Sequence, residues 1–330
     1  METAYNILKK RLSRGPHGKY CAELLLSEDL TKQVKYIEHL IEVCNIIVAH
    51  SHLQGSRICL EHDALTLLKM VSSKLSVIRK ILKEPDVTFD GIMGDRYISH
   101  KIIDHVTLYA VIRTLFESLC VFELIYVFPK SKKEQELVYN LYQLAGINEQ
   151  YKIMPDGEKF KEEKERVAEE IQIDIKAIKE SAFYADDKNK AVLDKCIDKG
   201  NFNIKIDNGR VIPIQGYINT IQEIGFKPNY IHGIYKYLCL NAHQTCIALT
   251  QFHDACELYN PHAIQLSITA SRLTINFASV FIVDFVKKNE ELVDVFNRFE
   301  DYIQYLVDAP NAVFRGQQYS LVNYCGKPLN

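Results

Sequence analysis

Residues 97–128 read YISHKIIDHVTLYAVIRTLFESLCVFELIYVF, a run apolar on nearly every side that stops at Pro129. A helix with no polar face must be covered all round by other helices, and a proline cannot extend it. The run therefore predicts the central helix of a bundle. Along it Lys101, His105, Tyr109, Arg113 and Glu117 follow one another at intervals of four. Each step drifts by only ~40°, so they stack into one polar stripe on an apolar rod.

Working outward, Leu30, Val34, Ile37, Ile41, Cys44 and Val48 recur at three and four residues, the period of an amphipathic helix. Ser27 is placed to cap it, with Glu28 and Asp29 in the first turn. A second run, 58–82, is stopped by Pro85 and followed by a loop holding Gly91 and Gly94. A turn at Gln54-Gly55-Ser56 joins the two as a helical hairpin. Downstream, Ser131-Lys132-Lys133-Glu134 is a capping-box pattern opening a helix through Leu144, with Gly146 as its stop. Between Asp156 and Gly200 stand 13 acidic and 10 basic residues, while Val167, Ile171, Ile175 and Ile178 keep a narrow apolar stripe. That combination reads as a projecting, solvated helical arm. Next, Phe202, Ile204 and Ile206 alternate, Asn208-Gly209 supplies a tight turn, and Val211, Ile212 and Ile214 return. Pro213 makes the second strand an edge. Helical periodicity resumes over 229–258, 263–287 and 290–307, with Pro261 and Pro310 as breaks.

Together these elements predict an all-α protein, a multi-helix bundle with an inserted charged helical arm and one small β-hairpin. Residues 1–155 and 216–309 are the two halves of the bundle, 156–215 the insertion and 310–330 a tail. The 330 residues are 47% apolar and 25% charged, an ordinary globular balance that excludes a disordered or fibrous chain. Forty Lys and Arg against forty-two Asp and Glu leave a net charge of −2, so no whole-chain field draws it to nucleic acid or acidic lipid. The longest apolar stretches, 118–128 and 273–286, are short of a membrane span and carry Glu123 and Asp284. The first 19 residues have no apolar core like that of a signal peptide, which points to the cytoplasm and to no membrane contact. Nine cysteines is an odd number and none forms a Cys-x-x-Cys pair, which argues against a disulfide framework and a zinc ribbon.

The motifs of nucleotide-binding loops, dinucleotide folds, serine hydrolases and zincins are all missing. There is no Glu-x-x-His pair of the kind a di-iron bundle needs, and His50-Ser51-His52 would point its two rings ~200° apart on a helix. No metal or cofactor is expected. Chemistry is left to the stripe and to two later helices. Arg113 and Glu117 either pair to set bundle register or line a cleft whose Arg binds an anion, with His105 and Tyr109 beside it. Later, Tyr235, Cys239 and His243 run at intervals of four, and Lys236 and His243 share a helix face to within ~20°. A lysine and a histidine together hold a phosphate and move a proton; the plainer reading of His243 is a hydrogen-bonded core residue. Arg272 and Asn276 stand four apart in a third apolar run, either as further ligands or as a local hydrogen bond.

The combination of Arg113-x-x-x-Glu117 with Tyr235-x-x-x-Cys239-x-x-x-His243 resembles a family of uncharacterised bacterial all-helical proteins that usually read Tyr-x-x-x-Ser-x-x-x-His at the second site. Here Cys239 stands where that serine would be. The second motif is also similar, more distantly, to the HEPN ribonuclease superfamily, helical bundles with an Arg-x(4 to 6)-His signature that cut RNA without metal, typically across a dimer interface, many of them in toxin or antiphage systems. Lys236 to His243 has its spacing with Lys in place of Arg, whereas Arg57 to His62 and Arg11 to His17 match it literally. If the chemistry is RNA cleavage, the spacing makes His243, Lys236 and Arg113 the catalytic residues, with Tyr235, Glu117, Tyr109, His105, Arg272 and Asn276 binding substrate. The implied partners are RNA or a nucleotide, and a second copy of the chain as a homodimer. Two rival roles remain: a protein-interaction scaffold binding a partner protein through 156–214, and a nucleotide or small-molecule sensor using Arg113 and Arg272.

Overall fold

Thirteen α-helices and two short antiparallel hairpins make up the described residues of the computed structural model, which are 16–54, 62–85, 87–93, 96–227, 233–243, 245–256 and 261–321. The chain divides into two units, Met1–Leu119 with Ile224–Asn330, and Cys120–Glu223. In the first, α1 (Pro16–Leu26), α2 (Leu30–Gln54) and α3 (His62–Lys83) precede a hairpin of β1 (Val87–Met93) and β2 (Arg96–Ile102), and α4 (His105–Phe122) follows. The second holds α5 (Lys132–Ile153), α6 (Lys161–Glu180), α7 (Asp187–Lys199), the hairpin β3 (Ile204–Asp207) and β4 (Arg210–Pro213), and most of α8 (Gly216–Ile224). The first unit is completed by α9 (Ile234–Ala242), α10 (Cys246–Cys256), α11 (Pro261–Lys287), α12 (Glu290–Asn297) and α13 (Asp301–Phe314). The all-α bundle stands. The segment expected as an insertion, 156–215, lies wholly within the second unit, which also takes in 120–155 and 216–223.

The core of the first unit is α11, against which α2, α3 and α13 pack. Every residue from Thr274 to Val286 is buried. Three of its hydroxyl groups are satisfied within the helix: Ser267, Ser271 and Thr274 donate to the carbonyls of Ala263, Ser267 and Ala270 one turn back. Helix α11 is long and apolar enough to cross a membrane, but 83% of its most apolar window is buried within the fold. The cap of α2 is Asp29 rather than Ser27: Asp29 Oδ1 accepts from the Thr31 amide at 2.9 Å, while Ser27 Oγ accepts from Asp29 itself. The last carbonyls of α1 are satisfied by Gln33 Nε2, which donates to Leu24 and Leu25 and also to Ser27 beyond the helix.

Several sequence expectations give way. Residues 96–102 are a strand, paired with 87–93 from Val87↔Ile102 to Met93↔Arg96, so the central helix begins at His105 and Lys101 leaves the stripe. Gly91 belongs to that ladder, opposite Ile98. Helix α5 runs through Gly146 to Ile153, since one exposed helical glycine costs only ~1 kcal/mol. The run 290–307 is two helices separated at 298–300. Pro310 lies inside α13 rather than ending it. A proline there leaves the carbonyl four residues earlier without its donor; that carbonyl, of Leu306, accepts instead from the buried Tyr36 hydroxyl at 2.5 Å. Tyr36→Phe is expected to lower unfolding free energy by about 1–3 kcal/mol, measured by urea titration; no loss would show that the helix tolerates its orphaned carbonyl. The turn at 54–56, Gly94 and the pair Arg57–His62 fall wholly or partly outside the described residues, as does Arg11 of the remaining pair.

The charged segment belongs to the second unit. Helix α6 packs on α5 along its stripe, with Val167 and Ile178 buried. The capping box forms in part: Ser131 Oγ accepts from the Glu134 amide at 3.3 Å, and Glu134 reaches back to the Lys130 amide at 2.7 Å. The predicted hairpin is present, with Asn208 and Gly209 both at positive φ, 49° and 77°, as a two-residue turn of this twist requires. The Asn189 side chain of α7 braces it by bonding Gly209 O and the Val211 amide, both at 2.9 Å.

Candidate functional site

The apolar face of α4 is fixed against α11 and α9 by aromatic contacts. Phe116 packs on Phe277 at 5.1 Å and on Tyr235 at 5.5 Å between ring centroids, and Tyr109 meets Tyr237 edge-on at 5.2 Å. These contacts set the polar stripe of α4 beside the C-terminal end of α9. There Arg113 Nε donates to Glu117 Oε1 at 2.9 Å, and Arg113 Nη1 lies 3.2 Å from His243 Nε2, a residue 130 positions along the chain. The guanidinium also sits 5.8 Å from the centre of the Tyr235 ring. Its side chain is 24% exposed and that of Glu117 28%, so the pair lies at a wetted margin rather than in dry core. Burial pulls the Arg113 pKa down, but the hydrogen bond and charge of Glu117 outweigh it and leave the value above that of an ordinary arginine.

His243 comes to Arg113 because α9 ends there. The sequence predicts one continuous helix over 229–258, but His243 is the C-cap of α9, with φ −107° and ψ 148°, and its ring stands in solvent. Thr245 makes the break: its hydroxyl donates to Leu240 O at 2.7 Å and accepts from the Ala248 amide at 3.3 Å, closing one helix and opening the next. With His243 out of the helix, the shared face expected for Lys236 and His243 is lost. Lys236 is exposed on α9 and, among the described residues, makes no hydrogen bond to His243. Burial first, and then a hydrogen bond with the Cys239 thiol, push the Tyr235 hydroxyl up to about 12, so it stays protonated at neutral pH. Cys239, which sequence reasoning left out of the site, therefore belongs to it through Tyr235.

The other predicted residues lie in packing contacts. Tyr109 is buried and its hydroxyl donates to Leu266 O at 3.0 Å. His105 is fully buried, with Nε2 3.0 Å from Ala263 O and 2.9 Å from Ser267 Oγ. Both tie α4 to the first turns of α11. Arg272 Nη2 reaches Leu26 O and Ser27 O at 3.2 and 3.4 Å, capping α1. Asn276 is buried in α11, its Oδ1 without a hydrogen-bond partner. Burial lowers the His105 pKa below its ordinary value near 6.5. A group depressed in the folded state binds its proton more readily when unfolded, so its contribution is complete above about pH 6.5 and lost as pH falls below it. Thermal midpoints should therefore drop on acidification from pH 6.5 toward 5, less steeply in His105→Gln; identical slopes would assign the loss elsewhere.

Among the described residues no group of three His, Cys, Asp or Glu side chains is placed to hold a metal ion. What the site offers is a forked cation, an imidazole with an accepting nitrogen, and a protonated phenol.

Residues 99–259 match the model of a family described as a family of unknown function, DUF5677. The chain is similar to that family over just under half its length. No curated protein and no solved structure gives a match. Arg113, Glu117, Tyr235, Cys239 and His243 all fall inside the stretch similar to DUF5677, and Arg272 and Asn276 fall outside it.

Proposed function

We propose that the Arg113–His243 site cleaves RNA without a metal ion. The observation that carries this reading is the 3.2 Å contact between a guanidinium and an exposed imidazole drawn from helices 130 residues apart. Phosphodiester cleavage by a neighbouring hydroxyl needs a cation on the non-bridging oxygens and a base near neutral pH. Arg113, oriented by Glu117, supplies the first, and a histidine at a solvent-facing margin supplies the second. The proton of the 2′-hydroxyl passes to the imidazole. The 2′-oxygen then bonds to phosphorus, the bond from phosphorus to the 5′-oxygen breaks, and the departing oxygen takes a proton from water. Tyr235 stays a neutral hydroxyl and positions Arg113 through its ring. Lys236, exposed on the same helix, is free to meet a flanking phosphate.

The test is incubation of purified protein with single-stranded RNA in a chelator. Products ending in 2′,3′-cyclic phosphate, absent when the 2′-hydroxyl is replaced by hydrogen, are expected. A second reading, nucleotide binding without turnover, draws on the same Arg113. It would show as nucleotide-dependent thermal stabilisation, lost in Arg113→Met, with no RNA cut.

A further inference from the structure

A base must have a free lone pair, yet in this structure the accepting nitrogen of His243 is already engaged. Arginine carries only donors, so Nε2, facing Arg113 Nη1 at 3.2 Å, is the unprotonated nitrogen and the ring proton resides on Nδ1. The guanidinium is held from its other side, Nε on Glu117 at 2.9 Å. It therefore can turn Nη1 away from the imidazole without leaving its carboxylate. A phosphate oxygen is the stronger partner for that Nη1, because there both donor and acceptor are charged, whereas the ring nitrogen is neutral.

We infer that Arg113 is a latch on His243, covering its proton-accepting nitrogen until an anionic phosphodiester oxygen draws Nη1 away. The inference rests on the proposed phosphodiester site and adds the order of events there: anion first, base second. Placement supports it. His243 is exposed, so solvent reaches the ring and Arg113 is the partner that occupies Nε2. Among the described residues, Arg113 on α4 is the cation bonded to the imidazole, Glu117 on α4 and Tyr235 and Cys239 on α9 act on Arg113, Lys236 is exposed on α9, and Cys246 opens the next helix.

The experiment follows the His243 imidazole resonance of the full-length protein through a pH titration, in saturating inorganic phosphate and in chloride at equal ionic strength. Phosphate is expected to raise the His243 midpoint by about one pH unit while shifting the Arg113 side-chain resonances. In Arg113→Met the midpoint is expected to ignore phosphate. A wild-type midpoint that phosphate leaves unmoved overturns the latch, whether or not Arg113 registers the anion, and so does an Arg113→Met protein that responds as the wild type does. If the midpoint rises as expected but no RNA is cut, the cleavage proposal fails and the latch stands.

Discussion

His243→Ala is expected to cut RNA about 10²–10⁴-fold more slowly than the parent protein, the usual worth of a positioned acid–base group. Arg113→Met should lose about 10²–10³-fold, the scale of removing one electrostatic stabiliser of a developing oxyanion. Because both act on one phosphate, the double substitution should be scarcely slower than the worse single one. Arg113→Lys should recover little. A lone ammonium cannot stay on Glu117 through one donor while passing a second from His243 to a phosphate oxygen, as the separate Nε and Nη1 of the guanidinium allow. Folding should survive all of these changes, since Arg113 and Glu117 are about a quarter exposed and His243 stands in solvent. Initial rates with a chelator present decide the matter. A purified His243→Ala protein as fast as its parent would remove the imidazole from the reaction.

The site was legible in the sequence where helical spacing is local and illegible where partners come from far along the chain. The interval of four joins Arg113 to Glu117 because α4 is one continuous helix through both. It failed at Lys101 for a reason built into the number: four is a multiple of two, so a stripe at that spacing fits a strand as well as a helix. In 96–102 the strand won, the ladder with 87–93 taking up the backbone groups that a helix would have used. His243 was picked by its spacing from Tyr235 and Cys239, but its true neighbour follows from the helix stopping there, and the readable signal for that stop was Thr245 as a cap. Pro310 read as a break because the hydroxyl that spares the helix belongs to Tyr36, 270 residues earlier.

The largest stability effect is expected from a pair that the sequence hid behind an apolar run. Asp284 lies near the end of the buried stretch of α11, and Arg315, the C-cap of α13, donates Nη1 to its Oδ2; their side chains are 5% and 3% exposed. Around them Arg315 stacks over the Tyr319 ring at 4.0 Å, and Asn311 Nδ2 donates to Asp308 Oδ1 at 3.2 Å and to Tyr319 O at 2.8 Å. Asp308 also accepts from the Ser320 hydroxyl and the Leu321 amide, so the chain beyond α13 is tied down by the same network. Such a pair contributes modestly as a whole, because taking both charges from water offsets their attraction, but losing one partner strands the other in low dielectric. Arg315→Met is therefore expected to lower the unfolding free energy by about 3–5 kcal/mol, and Asp284→Leu by a similar amount. The double substitution, which leaves neither ion stranded, should recover much of that loss, a coupling that a thermodynamic cycle by urea titration reads directly. Single variants within about 1 kcal/mol of the parent would mean that water reaches both groups and that the C-terminal segment is held by its apolar contacts instead.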